Sequence, residues 1–127
     1  MPKIDFKLKS EQIQREGKDP VTVITVQGWL DGQSDEKFVS AAQEAHSQGS
    51  RLLIVNLEDV STLTSAGIRA LQRTYLLFNP SEHTVHNGRM RLCNAPPQVY
   101  HVLSLTGFLQ SCPNYETLQA ALNSLPA

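Results

Sequence analysis

Residues 52–71 read LLIVNLEDVSTLTSAGIRAL, an aliphatic run that gives way to a hydroxyl-rich stretch and then to residues spaced as on a helix. Leu52–Leu57 is short and unbroken, the composition of a strand covered on both faces. Beyond it Ile68, Leu71, Tyr75 and Phe78 recur at helical spacing, and the pair Asn79, Pro80 ends the helix. A strand that runs directly into a helix is the unit of an α/β sheet, and the serine at the junction, Ser65, can serve as a cap, a nucleophile or a switch.

Upstream, VTVITVQ (Val21–Gln27) is rich in β-branched residues and predicts a second central strand. Gly28, Trp29, Leu30, Asp31 and Gly32 then predict a loop. Ser34 is placed to cap a helix whose first turn carries Asp35 and Glu36, with Phe38, Ala41, Ala42 and Ala45 as its apolar stripe and Gly49 as its stop. At the start, Lys3–Lys9 alternates Ile4, Phe6 and Leu8 with charged residues, the period-two pattern of a half-exposed strand, and Gly17, Lys18, Asp19 and Pro20 break the chain.

Downstream, a polar loop (NPSEHTVHNG, 79–88) precedes a strand at Met90–Cys93. Pro96 and Pro97 open a helix with Val99, Val102 and Leu103, closed by Gly107. Phe108 and Leu109 suggest a short last strand, and Asn114 is placed to cap a C-terminal helix bearing Leu118, Ala121, Leu122 and Leu125. Alternating strands and helices imply parallel strands joined by right-handed crossovers, with helices packed on the sheet. No repeat, low-complexity tract or linker divides the chain, so a single domain over residues 1–127 is expected.

The 127 residues are enough for one core, burying roughly two thirds of the unfolded surface. A formal charge of -1 lacks the positive field of a nucleic-acid binder. The opening MPKIDFKLKSEQIQREGK has no apolar core of the secretory kind, and no segment approaches the ~20 apolar residues that cross a bilayer. A cytoplasmic location without membrane insertion is therefore expected. Cys93 and Cys112 belong to no C-x-x-C pair and read as buried free thiols.

Ser65 follows a predicted central strand, so it lies on the edge where the carboxyl ends of strands gather; the Trp29 and Asp31 loop belongs on the same edge. TLTSAGI lacks the G-x-S-x-G turn of a hydrolase and no histidine has an evident route to the serine; nor is there a glycine-rich loop ending in Gly-Lys-Ser or Gly-Lys-Thr. Two readings of the hydroxyls stand ahead of catalysis. Thr64 or Ser65 can cap the helix, worth about 1 kcal/mol. Alternatively, a phosphate on Ser65 would face the free N–H groups of the helix start, where negative charge is favoured. Trp29 reads as an interface anchor or as packing against its own domain, and Arg69 with Arg73 as a small positive patch or an ordinary solvated face. His46 and His101 fall on predicted helices, as surface or boundary residues. His83 and His86, three apart in the polar loop, would serve a metal only with a helical loop and a third ligand.

The order VTVITVQGWLDGQ, helix, LLIVNLEDVSTLTSAGIRAL, GRMRLCNAPPQVYHVLSLTGF resembles a STAS domain of the anti-sigma factor antagonist type over roughly Val21 to Leu122. The resemblance rests on Gly28, Leu30 and Asp31, on Asn56–Val60, on Ser65 with Gly67, and on Gly107 with Phe108. It implies an α/β, STAS-like fold, a central mixed sheet of about four to five strands with helices packed on it. It also implies a non-enzymatic regulatory module without cofactor or metal. In such proteins the serine two places before the glycine is phosphorylated by a kinase that is also the anti-sigma factor, of histidine-kinase-like ATPase type; a phosphatase is a possible further partner. Unphosphorylated antagonist binds the kinase and frees the sigma factor; phosphorylated antagonist does not. Carried over by motif, Ser65 is the acceptor, and Asp31, Thr64 and Gly67, with Trp29 and Arg69 beside them, form the partner-binding edge. Two features depart from the pattern: Thr64 stands where an aspartate is common, and Phe78–Gly88 is longer than usual. The alternatives are an unphosphorylated STAS subunit of a sensory complex or lipid-transport ABC system, and a small-ligand sensor.

Overall fold

The two aliphatic runs form neighbouring parallel strands at the centre of the molecule, as their unbroken apolar composition requires. The computed structural model describes residues 6–80 and 88–126. Its strands are β1 (Lys7–Arg15), β2 (Lys18–Leu30), β3 (Leu53–Leu63), β4 (Met90–Cys93) and β5 (Asn114–Tyr115), and its helices are α1 (Asp35–Ser47), α2 (Ser65–Phe78), α3 (Pro97–Thr106), α4 (Phe108–Ser111) and α5 (Leu118–Ser124). The sheet runs β1-β2-β3-β4-β5. β1 is antiparallel to β2, while β2 to β5 are parallel throughout. The sheet is therefore mixed and five-stranded, with the parallel part built by the alternating units.

Side chains alternate between two cores. Ile24, Val26, Leu53, Val55 and Leu92 face α1, α2 and α3, meeting Phe38, Ala42, Leu71, Phe78, Val99 and Leu103. Val21, Val23, Ile54 and Cys93 face the other way, where Leu118, Ala121, Leu122 and Leu125 cover them. This period-two division makes β2 and β3 apolar on both sides, which is why both read as continuous runs. Arg91 is buried on β4; its guanidinium donates to the Gly88 and Met90 carbonyls at 2.6 and 3.0 Å and to Ser124 Oγ at 3.1 Å. It ties β4 to the C-terminal end of α5, where a cation is electrostatically favoured.

Several elements differ from the sequence reading. The first strand extends to Arg15, well past Lys9, because hairpin pairing with β2 carries it through the polar residues Ser10–Gln12; its predicted beginning, residues 3–5, lies outside the described residues. Gly28–Leu30 is strand, not loop: Gly28 pairs with Val60, Trp29 with Thr62 and Leu30 with Leu63. The register shifts on either side of Gly28, and its φ of 96° marks it as a strand irregularity that only looks like a turn in the sequence. Phe108 and Leu109 form a helical turn instead of a strand, since Gly107 (φ 78°) ends α3 and the chain bends at once into α4, burying Phe108. Asn114 lies in β5, where its Oδ1 accepts from Ala95 N–H at 3.2 Å; α5 is capped by Thr117, whose Oγ1 accepts from Ala120 N–H at 3.0 Å. Most of the Phe78–Gly88 stretch, with His83 and His86, lies outside the described residues.

Both cysteines are free and buried. Burial, reinforced by the nearby Glu58 carboxylate, pushes the Cys93 thiol up to about 11, and burial raises Cys112 further still. The folded protein thus retains thiol protons that the unfolded chain loses, so this contribution is whole below the ordinary thiol range and is lost as pH rises toward 11. Urea midpoints measured from pH 8 upward are expected to fall more steeply for the wild type than for Cys93→Ala. Parallel curves would mean that Cys93 ionises alike in both states.

Candidate functional site

The site grows from the far ends of β2 and β3, which continue side by side beyond the regular part of the sheet. Asn56 Oδ1 accepts the Glu58 N–H at 3.1 Å and the Asn94 side-chain amide at 3.3 Å, holding the strand where its register with β2 first shifts. β3 contributes extra residues at both shifts, and Val60 and Leu63 still reach the main core. The pair therefore ends in step, with Leu30 opposite Leu63.

One backbone oxygen organises the start of α2. The Leu30 carbonyl accepts the Thr64 N–H at 3.1 Å and lies 3.5 Å from the Thr64 hydroxyl. Thr64 is extended (φ -100°, ψ 175°), and its Oγ1 accepts the Gly67 N–H at 3.4 Å as the N-cap of the helix. Gly67 rests directly against the same carbonyl: a Cβ there would overlap Leu30 O and come within 2.7 Å of Leu63 Cδ1. The glycine is required for this close approach of helix to strand, since its backbone is ordinary and no positive φ is involved.

Asp31, 9 % exposed, begins the connection to α1. Its Oδ1 accepts the Gln33 N–H at 3.0 Å, and its carbonyl accepts the Ser34 and Asp35 N–H groups at 3.2 and 2.9 Å. Ser34 occupies the N-cap position of α1 as expected, yet its hydroxyl makes no cap bond to the helix. Instead it donates to the Trp29 carbonyl at 2.7 Å and accepts the Asp31 N–H at 3.0 Å, folding the connection on itself. Gly32 consequently faces Ala66; a Cβ on the glycine would meet Ala66 Cβ at 3.8 Å.

Ser65 is the first residue of α2 and is exposed; among the described residues its hydroxyl has no hydrogen bond. Its position puts it beside the helix's free N-terminal N–H groups. Trp29 is 36 % exposed at the end of β2, opposite Thr62. Arg69 is exposed one turn below Ser65, whereas Arg73 bonds Glu36 of α1 at 3.0 Å. The structure therefore gathers Asp31, Thr64 and Gly67 around Leu30 and leaves Ser65, Trp29 and Arg69 at the surface. The Leu30 carbonyl and the Ser34 hydroxyl hold the edge together, and neither role is legible in the sequence: a backbone acceptor has no side-chain signal, and Ser34 reads as an ordinary helix cap. His46 is exposed, edge-on to Phe78 at 5.2 Å, and His101 is exposed on α3. Among the described residues no three His, Cys, Asp or Glu side chains are grouped to hold a metal ion, and no helix is long and apolar enough to cross a membrane.

A family model described as STAS domain matches residues 12–121, and the chain belongs to that family. It is 24 % identical over 115 residues to an anti-sigma F factor antagonist of Paenibacillus polymyxa, covering 90 % of this chain and 94 % of that one. Among solved structures it is similar to an anti-sigma factor antagonist from Mycobacterium paratuberculosis (TM-score 0.72, 23 % identity, 94 % of each chain). It is also similar to the phosphorylated form of the Bacillus cell fate determinant SpoIIAA (TM-score 0.66, 23 % identity, 92 % of this chain and 97 % of that one). At these identities the structural likenesses show the fold.

The Gly67 contact yields a contrast between two glycines. Gly67→Ala is expected to lose about 3 kcal/mol or more, because the new methyl meets backbone that cannot move aside. Gly32→Ala, whose methyl makes only ordinary contact, is expected to stay within about 0.5 kcal/mol of the wild type. Urea unfolding of both variants measures the difference; equal stability would remove Gly67 as the point where α2 is fixed.

Proposed function

We propose that this protein is a non-enzymatic antagonist of an anti-sigma factor, released from its partner when Ser65 is phosphorylated. The carrying observation is the exposed hydroxyl of Ser65 at the first position of α2, on an edge whose backbone is already fixed by Leu30, Thr64 and Gly67. The fold shared with an anti-sigma factor antagonist, and with SpoIIAA solved in phosphorylated form, supports the same reading.

In this reading the partner is an anti-sigma factor that is itself a serine kinase of the histidine-kinase-like ATPase type, acting in the cytoplasm. It transfers the terminal phosphoryl group of ATP to Ser65 Oγ, with ADP as leaving group and the serine proton lost; a phosphatase restores the hydroxyl by hydrolysis. Trp29, Asp31, Thr64, Gly67 and Arg69 make up the contact edge, with Trp29 as its aromatic anchor. The phosphate adds about -1.5 to -2 charges at one point, so a protein at -1 moves to roughly -3. Burying that dianion under a partner costs several kcal/mol, enough to change affinity by orders of magnitude.

Thr64 favours a second reading, an unphosphorylated STAS subunit of a larger assembly, because it fills the N-cap with a neutral hydroxyl where the resemblance leads one to look for an aspartate. The two separate experimentally. Incubation with the partner kinase and ATP is expected to place one phosphate on Ser65 by mass spectrometry, and Ser65→Asp to lose kinase binding that Ser65→Ala keeps. Absence of phosphate from Ser65, or wild-type binding by Ser65→Asp, would overturn the switch in favour of the subunit.

A further inference from the structure

Ser65 shares its helix with an arginine one turn further on. Ser65 and Arg69 are four residues apart on α2, a spacing that stacks two side chains on one face. Long side chains on a helix lean back over the turn toward its N-terminus, so the common helical rotamers of Arg69 bring its guanidinium within reach of position 65. Arg69 is exposed and, among the described residues, has neither an ion pair nor a hydrogen bond, whereas the next arginine along the helix, Arg73, is held by Glu36 at 3.0 Å. The first turn of α2 contains no acidic residue, and its cap is the neutral Thr64. An anion on Ser65 therefore finds an uncommitted guanidinium and no carboxylate in its own turn competing for it.

Resting on Ser65 as the phosphate acceptor, the geometry points to Arg69 as a clamp in cis: the phosphoryl group, once transferred from ATP to Ser65 Oγ with loss of ADP and a proton, is bound by the Arg69 guanidinium. The order of the pair, anion toward the N-terminus and cation one turn on, is the favourable one for the helix dipole. A planar guanidinium also suits phosphate oxygens better than a lysine would. The pair holds the phosphate at one place on the edge, and Arg69 turns from an exposed cation, available to a partner's carboxylate, into one already engaged. Phosphorylation then acts on the partner twice, by adding bulk and charge at Ser65 and by withdrawing the cation at Arg69.

Near this turn stand Asp31, engaged by the Gln33 N–H, and Asp35 and Glu36 in the first turn of α1, of which Glu36 holds Arg73; Lys37 and Glu44 lie further along α1, and Glu58 and Asp59 on β3. Asp31 and Asp35 are alike in all the chains compared, but Glu36 loses its partner when Arg73 is replaced, so the arginine variants are compared in a Glu36→Gln background, where that carboxylate is absent throughout. The test installs phosphoserine at position 65 during synthesis of the full chain, so that no kinase is needed, and tracks the second ionisation by phosphorus NMR as pH is varied. A free phosphoserine titrates near pH ~6. With Arg69 present the value is expected to lie lower, and Arg69→Gln to raise it by about half a unit, while Arg73→Gln, which removes the same formal charge, leaves it in place. An unchanged value in Arg69→Gln, or equal rises in both variants, would overturn the clamp. Because the phosphate is built in, either result stands apart from whether a kinase acts on Ser65.

Discussion

The contact between Gly67 and the Leu30 carbonyl holds the whole edge in place. It seats the first turn of α2 on the end of β2 with no side chain between them, and the same oxygen takes the Thr64 N–H. Helix and strand are joined through backbone, a connection that surface side chains cannot loosen. This fixes the position of Ser65: one residue after a cap that is bonded on both sides, it has its backbone set while its hydroxyl stays in solvent.

A rigid backbone under an exposed hydroxyl suits a switch that works through a partner. In the proposed switch, charge added at Ser65 would lie at the N-terminal N–H groups of α2, where negative charge is favoured. The neighbouring connection is equally closed on itself, since Asp31 and Ser34 bond the backbone around them and Gly32 lies against Ala66. The edge thus offers a fixed shape whose electrostatics can be changed at one atom. Two bulges make this possible by carrying β2 and β3 past the regular sheet in step, so that Leu30 and Leu63 finish side by side.

Much of the fold was legible because β2, β3 and β4 are buried on both faces and their composition says so. α2 was legible for the same kind of reason: Ile68, Leu71 and Phe78 face one core at regular spacing. The errors fall where tertiary pairing overrides local signals. Gly28 reads as a turn yet sits in a strand, because a bulge needs its positive φ as much as a turn would. β1 is polar along Ser10–Gln12 and is recruited by hairpin pairing, which leaves no mark on an edge strand's composition. Asn114 reads as a cap, but the two-residue strand it joins is too short to show any alternation. At the site, the identity of Ser65 and Gly67 came from the motif, whereas the reason for the glycine, a carbonyl from a strand 37 positions earlier in the chain, is visible only in three dimensions.

For the proposed switch to work, phosphate on Ser65 must alter the surface and leave the architecture alone. Amide NMR spectra of the unmodified chain and of the chain carrying phosphoserine at position 65 compare the two states residue by residue. Shift changes confined to residues 31–34 and 64–69, with amide protection in β2 and β3 unchanged, are the predicted result. Shifts spread through the sheet, or protection lost in β3, would contradict it.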